Sequence, residues 1–140
     1  MAGESGLTVV DASVAVKWFV AEGEDDLREA ADLLQSHGQG STSLVGPALL
    51  AHELVNALGR RSREVRDLPA ATGVFFDFAI PLYPTDRELM VSTARLSADL
   101  GLSTADATYA ALALMLDCEL VTADHGLADA LEGTVRVRTL

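Results

Sequence analysis

Leu7-Thr8-Val9-Val10-Asp11-Ala12-Ser13-Val14-Ala15-Val16 decides how this chain folds. Residues 7–11 are short, β-branched and mostly apolar, which reads as a strand buried in a sheet. Ser13 is placed to cap a helix over residues 14–20, because its hydroxyl can take a backbone N–H left free at a helix start. A strand running straight into a helix is the start of a βαβ unit, and Asp11 stands at the junction.

The same alternation continues to the other end. Residues 42–45, 80–83, 119–122 and 134–138 read as strands. Residues 24–36 read as a helix, with Leu27, Ala30, Ala31 and Leu34 on one face and Gly38 and Gly40 marking its end. Pro47 suits the first position of a helix running to about residue 61. Residues 68–78 form another, and Thr85 can cap one over 86–100 that stops at Gly101. Ser103 caps a last helix, opened by Asp106 and continued through 107–116. Strands alternating with helices predict one α/β domain, with a mainly parallel sheet covered on both faces.

Four acids sit where this pattern calls for apolar residues. Asp11 ends the first strand, and Glu53 interrupts the face made by Leu49, Leu50, Leu54 and Ala57. Asp106 shares a helical face with Ala110 and Ala113, and Asp124 follows the strand at 119–122. Carboxylates are rarely buried unless paired or holding a metal. Ligands in such sheets bind at the carboxyl ends of the strands, where all four can converge.

Each acid also has a structural role open to it. Asp11 can cap the following helix, and Asp106 stands at capping-box spacing from Ser103. Asp124 can be a turn residue, and Glu53 can pair with a distant arginine. Together, however, they make an oxygen-only donor set suited to a hard divalent cation such as Mg²⁺ or Mn²⁺. Without one they would repel, and some would take up protons.

Composition narrows the classes. Of 140 residues 49% are hydrophobic, so the chain can build a core. The net charge of −11 disfavours a groove binder held by phosphate contacts alone, although a bound cation would offset that field locally. Glu22, Glu24, Asp25, Asp26, Glu29 and Asp32 read as a solvated helix face, and Arg60, Arg61, Arg63 and Arg66 form the basic cluster. These arginines are candidates to contact a phosphate backbone. Cys118 is the lone cysteine, so neither an internal disulfide nor a cysteine zinc cage is expected; it reads as a small core residue. His37, in a glycine-rich loop, His52 and His125 match no zinc spacing. Met1-Ala2-Gly3-Glu4 lacks signal-peptide features and no apolar run is long enough to span a bilayer, so a cytoplasmic protein without membrane contact is expected.

Four blocks then carry a resemblance. Val9-Val10-Asp11-Ala12-Ser13-Val14-Ala15-Val16-Lys17-Trp18-Phe19 resembles the opening of PIN-domain ribonucleases, particularly VapC toxins of toxin–antitoxin pairs. The segments at 47–58, 102–113 and 120–124 are similar to the family's later motifs, in its order and spacing. The resemblance implies a three-layer α/β/α sandwich and a Mg²⁺- or Mn²⁺-dependent endoribonuclease. On it, Asp11, Glu53, Asp106 and Asp124 are the catalytic, metal-holding acids, supported by the hydroxyls of Ser13 and Thr122, with Asp129 as a further acid. It also implies a homodimer restrained by a VapB-like antitoxin. The Lys or Arg often found after the family's last aspartate is missing from His125-Gly126-Leu127-Ala128-Asp129.

Two other readings remain open from the residues alone. One is a non-catalytic interaction module whose carboxylates hold a structural cation. The other is a phosphatase acting on small phosphate esters, for which the chain offers no nucleophile motif.

Overall fold

The computed structural model describes residues 6–140; the segment Met1-Ala2-Gly3-Glu4 lies outside them. In chain order the elements are β1 (Leu7–Val10), α1 (Ala12–Ala15) continued by a 3₁₀ turn (Val16–Trp18), α2 (Leu27–Gln39), β2 (Ser43–Pro47), α3 (Leu49–Gly59), α4 (Leu68–Asp77), β3 (Leu82–Tyr83), α5 (Arg87–Leu100), α6 (Thr104–Met115), β4 (Glu119–Thr122), α7 (His125–Leu131) and β5 (Val137–Thr139).

The five strands form one parallel sheet in the order β3-β2-β1-β4-β5. Val9 lies opposite Val45 of β2 on one side and Leu120 of β4 on the other. All three are buried, because the central strands are covered on both faces. Connections between parallel strands are right-handed as a rule. The path steps outward from β1 to β3, then returns past β1 to β4, so α1–α4 and α5–α7 fall on opposite faces. This is the expected three-layer α/β/α sandwich.

Side-chain burial explains how the helices are held. On α3, Leu50, Leu54 and Leu58 are at most 1% exposed, and sequestering each contributes about 1.5–3 kcal/mol. α6 packs along α5 and against β1, β2 and β4. Ala107 through Ala113 are buried on every side, and the alanines allow that close approach. Cys118 is part of the same core.

Several boundaries differ from the expected ones, each for a local reason. Ser13 does not cap a helix: α1 begins at Ala12, directly after Asp11, and the Ser13 hydroxyl is used elsewhere. Pro47 ends β2 instead of opening a helix, lying past the last β1–β2 pair, Val9–Val45. α2 begins and ends three residues late, running to the left-handed Gly40. Glu22, Glu24, Asp25 and Asp26 therefore precede α2 instead of lining it. The cap of α5 is Asp86, which accepts from the Leu89 N–H, not Thr85. β3 has only two residues, and α7 was not anticipated at all.

His37 is also more than a loop residue. It lies in the last turn of α2, and its Nδ1 accepts the Leu44 N–H at 3.0 Å. The ring proton must then sit on Nε2, which donates toward the carbonyls of Phe78 at 3.1 Å and Ala79 at 3.3 Å. One imidazole thus ties α2, β2 and the segment after α4 together.

Candidate active site

β1 and β4 are neighbours, yet the chain leaves them in opposite directions along the sheet. That reversal opens a crevice at their carboxyl ends, the usual binding position in such folds. Asp11 follows β1 directly, and its backbone N–H is fixed to the Val121 carbonyl of β4 at 3.0 Å. Asp124 stands two residues beyond β4. Glu53 arrives on α3 and Asp106 in the first turn of α6. All four line one cleft of about 260 Å³, together with Ser13, Asn56 and Arg60.

Asp11 is 7% exposed. Although it precedes α1, its carboxylate caps nothing. Its Oδ2 instead accepts from the Thr122 hydroxyl at 2.7 Å and the Ser13 hydroxyl at 2.9 Å. Each hydroxyl in turn accepts a backbone N–H from the turn after β4: Ala123 to Ser13 and Asp124 to Thr122, both at 3.0 Å. The two side chains therefore orient Asp11 and bolt the end of β1 to the end of β4.

Glu53 has no arginine partner. Its Oε1 accepts from the Tyr109 hydroxyl at 2.6 Å. Burial raises the Glu53 pKa above its ordinary 4.5, the Tyr109 bond opposes this, and the charges of Asp11 and Asp106 add to the rise. The Tyr109 phenol is itself pushed far above the usual tyrosine range, first by burial and then by its bond to Glu53. Burial likewise raises Asp106 above its ordinary 3.8, with Asp11 and Asp124 contributing. The Asp106 N–H bonds to the Ser103 hydroxyl at 3.1 Å, so the backbone serves the helix cap while the carboxylate faces the cleft. Asp124 caps α7, its Oδ1 accepting from the Leu127 N–H at 3.0 Å.

These features frame a family. A profile described as PIN domain matches residues 8–131. The chain belongs to the PIN-domain family. Similar folds recur among solved structures at low sequence identity. VapBC2 from Rickettsia felis, bound to a DNA fragment from its promoter, is 11% identical with a TM-score of 0.70, covering 96% of this chain and 98% of that one. PAE2754 from Pyrobaculum aerophilum is 22% identical with a TM-score of 0.67, covering 98% and 86%. VapBC-5 from Mycobacterium tuberculosis is 20% identical with a TM-score of 0.61, covering 96% and 98%. A search of curated proteins finds no match.

Within this PIN domain the other named residues separate. Asp129 is exposed and lines a different cleft, with His125 and Glu132. Arg60 borders the acidic cleft, whereas Arg61 is engaged by Glu24 at 3.2 Å and Glu64 at 3.0 Å. Tyr109 is the residue that pattern reading passed over. It was detectable as the one large polar-tipped side chain in an alanine-rich helix, a turn after Asp106.

The donor chemistry fits a hard cation, since every candidate ligand is a carboxylate oxygen. Among the described residues, no three His, Cys, Asp or Glu side chains are drawn into a ready-made cage. Mg²⁺ is commonly held by one or two carboxylates with the rest of its shell water. No helix among the described residues is long and apolar enough to cross a membrane.

Proposed function

We propose that this PIN domain is a VapC-type toxin, a Mg²⁺- or Mn²⁺-dependent endoribonuclease. The observation that carries the reading is the convergence of Asp11, Glu53, Asp106 and Asp124 on one cleft at the sheet's switch point. The bound cation would supply the positive charge that admits a phosphodiester to an acidic pocket and makes water more acidic.

The chain's own residues do the rest. Ser13 and Thr122 hold Asp11 in one orientation, and Tyr109 holds one oxygen of Glu53, leaving the other for the cleft. A carboxylate oxygen of the cluster accepts the proton of an attacking water. That water's oxygen bonds to phosphorus as the phosphorus–oxygen bond opposite breaks, and the departing oxygen is protonated from solvent. Prepositioned groups of this kind lower the barrier because they need no reorganisation during the reaction.

The neighbouring folds support the biological setting. The Rickettsia and Mycobacterium structures belong to toxin–antitoxin systems, as does a Klebsiella pneumoniae toxin–antitoxin complex of TM-score 0.68. By that likeness the protein acts in the cytoplasm as a homodimer held in check by a VapB-like antitoxin.

The test is Asp11→Asn and Asp106→Asn, assayed on RNA with Mg²⁺ or Mn²⁺. Both lose cleavage, and EDTA abolishes it in the native protein. Undiminished cleavage by either variant would sink the assignment. Expression should also arrest growth, with relief when a cognate antitoxin is co-expressed.

A further inference from the structure

A second cleft, of about 460 Å³, adjoins the acidic one and is lined by Glu22, Gly23, Arg60, Arg61, Ser62, Arg63 and Glu64. Arg60 belongs to both clefts. In a chain of net charge −11, this lining holds three arginines against two glutamates, a net of +1.

The three arginines are not equivalent. Arg61 bonds to Glu24, Glu64 and the Glu22 carbonyl, and Glu24 also takes Lys17 at 3.2 Å. The Glu64 carboxylate in turn accepts the N–H groups of Ala21 and Glu22, both at 3.2 Å. Burial pushes Glu64 up, but these N–H groups and Arg61 outweigh it and hold its pKa below 4.5. Arg61 is therefore a clamp joining the segment before α2 to the segment after α3. The side chains of Arg60 and Arg63 make no hydrogen bond or ion pair with any described residue, and both are exposed.

We propose that this second cleft is a subsite for the RNA backbone, in which Arg60 and Arg63 contact the phosphate flanking the one held at the acids, while Arg61 keeps the wall in place. The assignment rests on the nuclease reading above. It also resolves how a strongly acidic protein retains RNA: the cation serves the scissile phosphate, and two free guanidinium groups serve its neighbour. Arg66 lines neither cleft and lies outside the subsite.

The probe is a mixed-sequence octaribonucleotide, kept uncut by EDTA and titrated against the native protein, Arg60→Gln/Arg63→Gln and Arg66→Gln over a range of salt. The double variant should weaken binding and flatten the slope of log affinity against log salt by about 1.4, two contacts at about 0.7 each. Arg66→Gln should leave both unchanged, and melting temperatures should confirm that all three proteins fold. Arg61→Gln should lower the melting temperature, as a clamp requires. Native-like affinity and slope in the double variant would overturn the subsite. If the native protein still cleaved RNA, the nuclease reading would survive that result. Failure of the native protein to bind or cleave RNA would remove both. Tighter binding of poly-glutamate than of the oligonucleotide would mark the cleft as a site for an acidic protein segment and overturn the proposal as well.

Discussion

Tyr109 donates a 2.6 Å hydrogen bond to Glu53 from 56 residues away, joining α6 to α3 beside the acidic cleft. A glutamate among leucines needed a partner, and the partner is a neutral hydroxyl, which satisfies an oxygen without cancelling the charge. Tyr109→Phe keeps the ring that fills the core and removes the bond alone. RNA cleavage should fall about 10- to 100-fold, the usual loss when a group orienting a ligand is removed. Stability should change by only about 1 kcal/mol. Parallel cleavage and denaturation measurements decide it, and unchanged cleavage would make Tyr109 a packing residue only.

Glu53 and Asp106 both have folded-state pKa values above their ordinary 4.5 and 3.8. The folded state therefore binds more protons than the unfolded chain just above those values, and stability is lost as pH rises through that window. Glu53→Gln and Asp106→Asn should accordingly melt higher than the native protein at pH 7 without divalent cations. The advantage should vanish at a pH low enough to protonate both states. Thermal melts from pH 3 to 8 provide the check. Lower melting of both variants at neutral pH would contradict the strain ascribed to these acids.

A divalent cation should relieve the same strain. Mn²⁺ at about 100 times its dissociation constant should stabilise the native protein by about 2.7 kcal/mol. The gain should shrink in Asp11→Asn and Asp106→Asn. Calorimetry reads the binding directly, independently of any activity. No heat and no shift in melting would argue against the cation.

Thr122→Val is nearly isosteric but leaves Asp11 with one hydroxyl fewer and the Asp124 N–H without its acceptor. We expect a loss of about 1–3 kcal/mol, the range for an unsatisfied buried polar group, and slower cleavage with RNA affinity largely kept. Urea denaturation and single-turnover kinetics separate the two effects.

His37→Phe should destabilise the fold by about 1–3 kcal/mol, since it strands the Leu44 N–H inside the protein. Hydrogen exchange at Leu44 should accelerate, while the cleft residues keep their native spectra.

The fold was legible where local chemistry and tertiary context agree. β-branched runs such as Thr8-Val9-Val10 became central strands, and Ser103 caps α6 as its spacing implied. It was illegible where one residue can serve two purposes. Ser13 reads as a helix cap, yet its hydroxyl is claimed by Asp11 and by the Ala123 N–H, a partner 110 residues away. Helix α7 is seven residues long with a glycine at its second position, so it has too few turns to show a periodic face. The four acids could be picked out individually as misfits of pattern, and the sheet order explains why they meet. Tyr109 gave a weaker signal, its polar tip in an alanine-rich helix, because its ring suits the core as well as its hydroxyl suits Glu53.

The bond from Thr122 to Asp11 spans 111 positions of the chain. No nascent chain that ends before β4 can make it or contains both halves of the crevice. The acidic crevice is thus a late feature of a growing chain, since it needs the long connection that returns past β1 to β4. On the proposed ribonuclease reading, a cell would be exposed to the activity only once β4 of each copy has been made, which sets the moment at which an inhibitor must be waiting.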